Sequence, residues 1–354
     1  MKLKLKSRLA RIGVGMALLT VMAVPIGGSL ATSGSSVAGA ATSSKCPYRF
    51  AVITHGDNGS FWSVVYSGAK TEAKTLGCTL TEVYGSQTQG QAQPDDAAEN
   101  AQIQDAINAH VNGIVVSDHN DALMNPTISK AVAHGIPVVL TNDCVVADIA
   151  ATGAMTCVGQ PEVLAGQHSG VEFTSLGKTD VLCVVHQSGQ NLLDRCTGVA
   201  QGLGLKHCTT AGKAPKSGPA CTELILSTPN AASNPVQAVA QVTAYLQANP
   251  GINAVMTLNN AIGTALVTAN HGKAKIATFD MNTAVVADIR NGSMAFGVDQ
   301  QQFLQGVLPI DFLYLYNKYH GASIGGGASV ATGPLIVTKA NVGKVAAAIN
   351  AGQD

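Results

Sequence analysis

What most constrains this chain is a regular alternation of short β-branched runs with longer amphipathic stretches. The runs FAVITHG, LTEVYG, GIVVSD, IPVVLTN, MTCVGQ, DVLCVVH, TELILS, INAVMTL, KIATFD and MAFGVDQ read as strands. Stretches such as SFWSVVYSGAKTEAKTLG and PDDAAENAQIQDAINAH lie between them and read as helices. In the second, Ala98, Ile103, Ala106, Ile107 and His110 fall near one face. Asp95, Asp96 and Glu99 load its first turn, where negative charge opposes the positive end of the helix dipole. Near-continuous apolar strands separated by crossover helices describe parallel sheets covered on both faces. That many units exceed one ordinary doubly wound domain. The expectation is two doubly wound, parallel-sheet α/β domains side by side.

Composition narrows the functional classes. Of 354 residues, 46% are hydrophobic and only 12% charged, which suits a well-buried fold and excludes a disordered scaffold. Lysines and arginines (21) balance aspartates and glutamates (21), but Lys2, Lys4, Lys6, Arg8 and Arg11 crowd the first residues. The body is therefore mildly acidic and lacks the clustered basic footprint of a nucleic-acid binder. The basic start, the apolar run IGVGMALLTVMAVPIGG and the small residues ending Ala38-Gly39-Ala40 are the three parts of a signal peptide. Residues 1–40 are read as that signal. Export to the periplasm or extracellular cell-envelope space is expected.

The eight cysteines, Cys46, Cys78, Cys144, Cys157, Cys183, Cys196, Cys208 and Cys221, all follow this segment. An even count in an exported chain suggests disulfides, and no C-x-x-C pair points to zinc. Sequence neighbours are the first pairing to expect, with Cys46 and Cys78 side by side before the first two strands. No metal and no cofactor is expected.

In open α/β sheets, ligands bind beyond the carboxyl ends of the strands. Those ends are polar here: His55, Asp57 and Asn58; Asp118, His119, Asn120 and Asp121; Asn142 and Asp143; His186 and Gln187; Asn259 and Asn260; Asp280; Asp299 and Gln300. Side chains of these types offer the donors and acceptors that a polyhydroxylated ligand needs.

Taken in order, FWSVVYSGAKTEAKTLG, GIVVSDHNDALMNPTISKAVAHGIPVVLTND, AVMTLNNAIGTAL, IATFD and AFGVDQQQFLQGVLP resemble the type I periplasmic sugar-binding proteins of ABC transporters, the ribose-binding group. The resemblance covers nearly all of the chain after the signal. It implies two domains joined by a three-crossover hinge that closes over a ligand. One lobe would hold residues 46–142 plus 301–331, the other 143–300 plus 332–354. It also implies the site. Phe61 and Trp62 match the aromatic pair that covers the apolar face of a sugar, and Arg195 matches an arginine that hydrogen-bonds ligand hydroxyls. Asn259, Asp280 and Gln300 match further polar contacts. Asp118 and His119 stand where the group has a first-domain polar residue, Asn142 opens a departure from its Asp-Arg pair, and Asn58 is shifted by one position. The expected ligand-binding set is thus Asn58, Phe61, Trp62, Asp118, His119, Asn142, Arg195, Asn259, Asp280 and Gln300.

The implied function is capture of a monosaccharide or polyol and its delivery to a membrane ABC permease, by a monomer without chemistry. A sensory protein presenting an autoinducer, nucleoside or sugar to a membrane receptor is the alternative. A secreted sugar-processing enzyme ranks behind, because HExxH and P-loop motifs are missing.

Overall fold

The computed structural model describes residues 46–56, 61–83, 96–187, 189–210, 218–227, 231–232, 234–269, 274–321 and 324–353. The expected signal segment and Asn58 lie outside them.

Each apolar run forms a strand because both of its faces are covered. The first sheet contains β1 (Arg49–Ile53), β2 (Thr79–Val83), β3 (Gly113–Val116), β4 (Val138–Thr141), β5 (Thr156–Gly159) and β12 (Ser329–Ala331). Its order is β12-β5-β4-β3-β1-β2, and every pairing is parallel. Side chains alternate strictly across it. Phe50, Val52, Val115 and Val139 point to one face, where they meet α1 (Trp62–Leu76) and α10 (Gln302–Lys318). Ala51, Ile53, Ile114, Val116 and Leu140 point to the other, under α2 (Asp96–Asn108), α3 (Asp121–Ala133) and α4 (Val146–Thr152). This period-two division is what a two-faced parallel strand requires.

The second sheet contains β6 (Asp180–Val185), β7 (Thr209–Thr210), β8 (Ala220–Ile225), β9 (Ala254–Thr257), β10 (Lys275–Phe279), β11 (Phe296–Asp299) and β13 (Leu335–Thr338). Its order is β13-β11-β10-β9-β6-β8-β7, parallel except for β13, which runs against β11. On one face α5 (Glu162–Ser175) and α6 (Gln190–Gly202) cover Val181, Val185, Met256 and Phe279. On the other, α7 (Pro235–Ala248), α8 (Asn260–Ala269), α9 (Thr283–Asn291) and α11 (Val342–Asn350) cover Leu182, Val184, Val255 and Ile276. The architecture is α/β with two doubly wound sheets.

The chain passes between the sheets at Gln160–Pro161, at Gln300–Gln301 and at Thr332–Pro334. The first passage comes later than the expected boundary after Asn142. The polar loop there only leads into α4 and β5, and β5 pairs with β4 in the first sheet. Gln305 ties the second and third passages together and links them to the end of β4. Its amide nitrogen donates to the Gln300 carbonyl (3.2 Å) and to Thr332 Oγ1 (3.1 Å), and its Oε1 accepts from Asn142 Nδ2 (3.3 Å).

All eight cysteines are paired, each with its sequence neighbour: Cys46–Cys78, Cys144–Cys157, Cys183–Cys196 and Cys208–Cys221. Closing a loop of about 15 residues stabilises a fold by roughly 3 kcal/mol in the chain-entropy account. Cys183–Cys196 staples α6 onto β6 one residue from Arg195. No helix of the described residues is long and apolar enough to cross a membrane.

Candidate functional site

Both sheets reverse strand order at their centres, between β1 and β3 in the first and between β6 and β9 in the second. Crevices open at such points beyond the strand ends. A cleft of about 310 Å³ lies there, lined from both sheets. The first contributes His55, Gly56, Phe61, Trp62 and Asn142; the second contributes His186, Gln187, Asn191, Leu192, Arg195, Ala232, Leu258, Asn259, Ala261, Asp280 and Gln300.

Local backbone aims several of these groups. Asn142 (φ 71°) and Asp280 (φ 70°) each end a strand in the left-handed region. Asn and Asp are the non-glycine residues that tolerate it best, so the turn can direct a polar side chain across the strand end. Asn259 Oδ1 caps α8 by accepting from the Ala261 and Ile262 backbone (2.9 and 3.4 Å). Trp62 lies so close over Gly56 that a Cβ there would fall 1.6 Å from the indole Nε1. Phe61 meets Trp62 edge to face at 5.0 Å, and His55 meets it likewise at 4.9 Å.

The charged centre is Arg195, only 3% exposed. Its guanidinium donates to both carboxylate oxygens of Glu162 (2.8 and 2.7 Å) and to Gln300 Oε1 (3.1 Å), and lies 4.6 Å above the Phe279 ring. Gln300 in turn donates to Asp280. Burial pushes the Asp280 carboxyl up to about 6, against the pull of Arg195 and Gln300. Burial, then Arg195, pushes His186 down to about 3. Burial, then His119, holds His55 well below the usual imidazole range. Both cleft histidines are therefore neutral at physiological pH, with one donor and one acceptor each.

The structure brings Phe61, Trp62, Asn142, Arg195, Asn259, Asp280 and Gln300 of the expected set to one cleft. Asp118 and His119 are not among its lining residues. His119 sits behind His55, with ring centroids 4.4 Å apart, and turns its nitrogens to Asp96 (2.6 Å) and Glu99 (3.5 Å). Asp118 turns toward Asp121 and Asp148. The expected set also left out residues that line the cleft. His55, His186 and Gln187 had a signal, being polar strand ends. Asn191 had one too, standing four residues before Arg195 and so on the same helix face.

Two α/β units whose polar strand ends face one cleft define the class of two-lobed solute-binding receptors. Residues 50–319 match the family described as periplasmic binding protein domain, and the chain belongs to that family. A carbohydrate transporter from Acidothermus cellulolyticus, solved in complex with myo-inositol, is 34% identical; the alignment covers 87% of this chain and 99% of that one, with a TM-score of 0.75. An ABC-transporter solute-binding protein from Burkholderia graminis in complex with D-arabinose shares the fold at 22% identity, with 84% and 97% coverage and a TM-score of 0.69. A carbohydrate transporter solute-binding protein from Agrobacterium radiobacter, also with D-arabinose, does so at 19% identity, with 86% and 99% coverage and a TM-score of 0.69. No curated protein sequence matches the chain.

Proposed function

We propose that the chain captures a neutral monosaccharide or polyol in this cleft, outside the cytoplasmic membrane, and delivers it unchanged to an ABC permease. The observation that carries this reading is the pairing of Arg195. Among the described residues, the one cationic side chain lining the cleft is already held bidentately by Glu162 and faces Asp280. An anionic ligand would find no free countercharge, and a cationic one would have to compete with the guanidinium. What remains are neutral amide and imidazole edges and the Asp280 carboxylate for hydroxyls, and the Phe61–Trp62 surface for a ring's C–H face. Because one chain supplies both walls, a monomer suffices. The polar and aromatic lining residues, rather than Asp118 or His119, are proposed as the ligand contacts. The proposed lobes meet at the three passages of the chain, and ligand touching both favours their closed arrangement.

A thermal-shift screen over pentoses, hexoses and polyols tests the reading, with myo-inositol first because the 34%-identical transporter holds it. A ligand at a hundredfold excess over its Kd stabilises the folded state by about 2.7 kcal/mol. The same ligand should shift the emission of Trp62, the chain's single tryptophan. A response confined to amino acids, or none to any neutral polyol, would sink the proposal.

Affinity should also depend on pH. Asp280 accepts hydroxyl hydrogens when ionised, so its protonation below about 6 removes an acceptor. Kd is expected to rise roughly tenfold between pH 7 and pH 5 and to stay flat above 7. Ligand-free stability should move the other way. A carboxyl whose folded pKa is raised binds more protons folded than unfolded, so stability falls as pH rises from about 4 through 6. Calorimetric titrations of wild type and Asp280→Asn check the affinity; a pH slope of Kd that survives in the variant would assign it to another group, while the buried Asp118, Asp143 and Glu99 carboxyls, also raised, keep part of the stability slope.

A further inference from the structure

We propose that Asp118, Asp121 and Asp148 form a calcium-binding site at the end of β3, behind the wall of the cleft. A carboxylate oxygen from each lies within 4.8 Å of the others. Clustered acids on a surface are common, but these are not merely on a surface. Asp118 is 1% exposed and Asp148 4%. Both oxygens of Asp118 and Oδ2 of Asp148 are buried without a hydrogen bond of good geometry, the Asn120 backbone N–H alone lying near Asp118. Buried polar atoms are almost always satisfied, and a buried carboxylate with no well-formed hydrogen bond to either oxygen calls for an explanation. No Lys or Arg among the described residues is ion-paired with any of the three. Asp148 Oδ1 accepts from Asn125 Nδ2 at 3.1 Å, while the amide oxygen of Asn125 is itself buried and unpartnered. It supplies a further neutral oxygen beside the cluster.

The donor set fixes the class of ion. Oxygen donors alone suit a hard cation, whereas zinc and copper favour nitrogen or sulfur. The number of protein oxygens then favours the larger one: Ca²⁺ takes about six to eight in flexible geometry, whereas Mg²⁺ keeps several waters and is usually held by one or two carboxylates. The elements also suit a clasp. Asp118 follows β3, Asp121 opens α3 and Asp148 lies in the first turn of α4. A shared ion would hold all three together near Asp143, whose carboxyl feels the charges of Asp118 and Asp121 and which follows the cleft residue Asn142.

Melting of chelator-treated protein in rising CaCl₂, with ionic strength matched by NaCl, is the test. An affinity of about 10⁻⁴–10⁻³ M, usual for extracellular modules, should give a rise of a few degrees at 10 mM Ca²⁺. Isothermal titration of the folded protein should find one ion per chain. Asp121 is exposed, so Asp121→Asn should fold, lose the calcium response and melt higher than wild type in chelator, through relief of carboxylate repulsion. The site is overturned if NaCl gives the same rise or if Asp121→Asn responds to calcium as wild type does. An equal rise with MgCl₂ would overturn the assignment to calcium. Flat melting together with no heat of binding would mean the buried acids are held by a shared proton instead.

Discussion

Replacing Arg195 by alanine should lower the melting temperature by about 10 °C and abolish any response to ligand. Truncating one partner of a buried ion pair costs about 3–5 kcal/mol, since the other charge stays buried alone, and at this chain size each kcal/mol moves the midpoint by about 2–4 °C. Here the stranded partner is Glu162, 8% exposed, whose two oxygens both accept from the guanidinium. Gln300 loses a donor at the same time, and Asp280 loses the cation that favours its ionised form. The two effects can be separated. Arg195→Met combined with Glu162→Gln removes both charges together, so most of the stability should return. Ligand binding should not, because the donors themselves are gone. Scanning calorimetry of the three proteins, with and without the ligand identified by the screen, gives the answer. An alanine variant that melts and binds as wild type does would remove Arg195 from the site.

The partner of Arg195 shows where sequence reasoning stops. The acid beside it in the chain is Asp194, but neighbouring helical residues do not face each other. Asp194 instead accepts from Gln190 one turn back (2.8 Å). Glu162 lies on another helix, and nothing in its local sequence points to Arg195. The strands were legible because two-faced burial leaves a run of β-branched residues that no exposed segment needs to carry. Strands β7 and β12 were not legible, since two or three residues at a sheet edge carry no periodic signal. The cleft was legible as polar strand ends, but not which of them face it. His55 and Asp118 both follow neighbouring strands. His55 lines the cleft, and Asp118 lies behind it because its turn leads into α3. The first passage between the sheets was misplaced for a related reason: a polar loop after a strand looks the same whether it crosses to another sheet or opens one more β–α–β unit.

The same Gly→Ala change should have opposite signs at two helical positions, Gly198 and Gly343. In a helix, alanine gains about 0.5–1 kcal/mol over glycine by restricting the unfolded chain. Gly343 in α11 has open space where a Cβ would be placed, so Gly343→Ala should stabilise by up to about that amount. Gly198 does not. Helices α5 and α6 cross with Gly166 and Gly170 of one against Gly198 and Gly202 of the other. A Cβ at Gly198 would stand 2.1 Å from the Val163 carbonyl oxygen and 2.8 Å from Gly166 Cα. These are backbone atoms and cannot rotate aside, so the helices must separate, and overpacking of this kind typically costs about 1–3 kcal/mol. The cost reaches the cleft as well. Glu162 opens α5 and Arg195 lies in the middle of α6, so the glycine crossing sets the distance at which they pair. The staple between Cys183 and Cys196 holds α6 to its strand and leaves α5 to give way. Gly198→Ala should therefore weaken ligand binding along with stability, whereas Gly343→Ala leaves affinity untouched. Melting curves and titrations on the two variants decide the matter. If Gly198→Ala gained stability as Gly343→Ala does, the close crossing would not be what positions the Glu162–Arg195 pair.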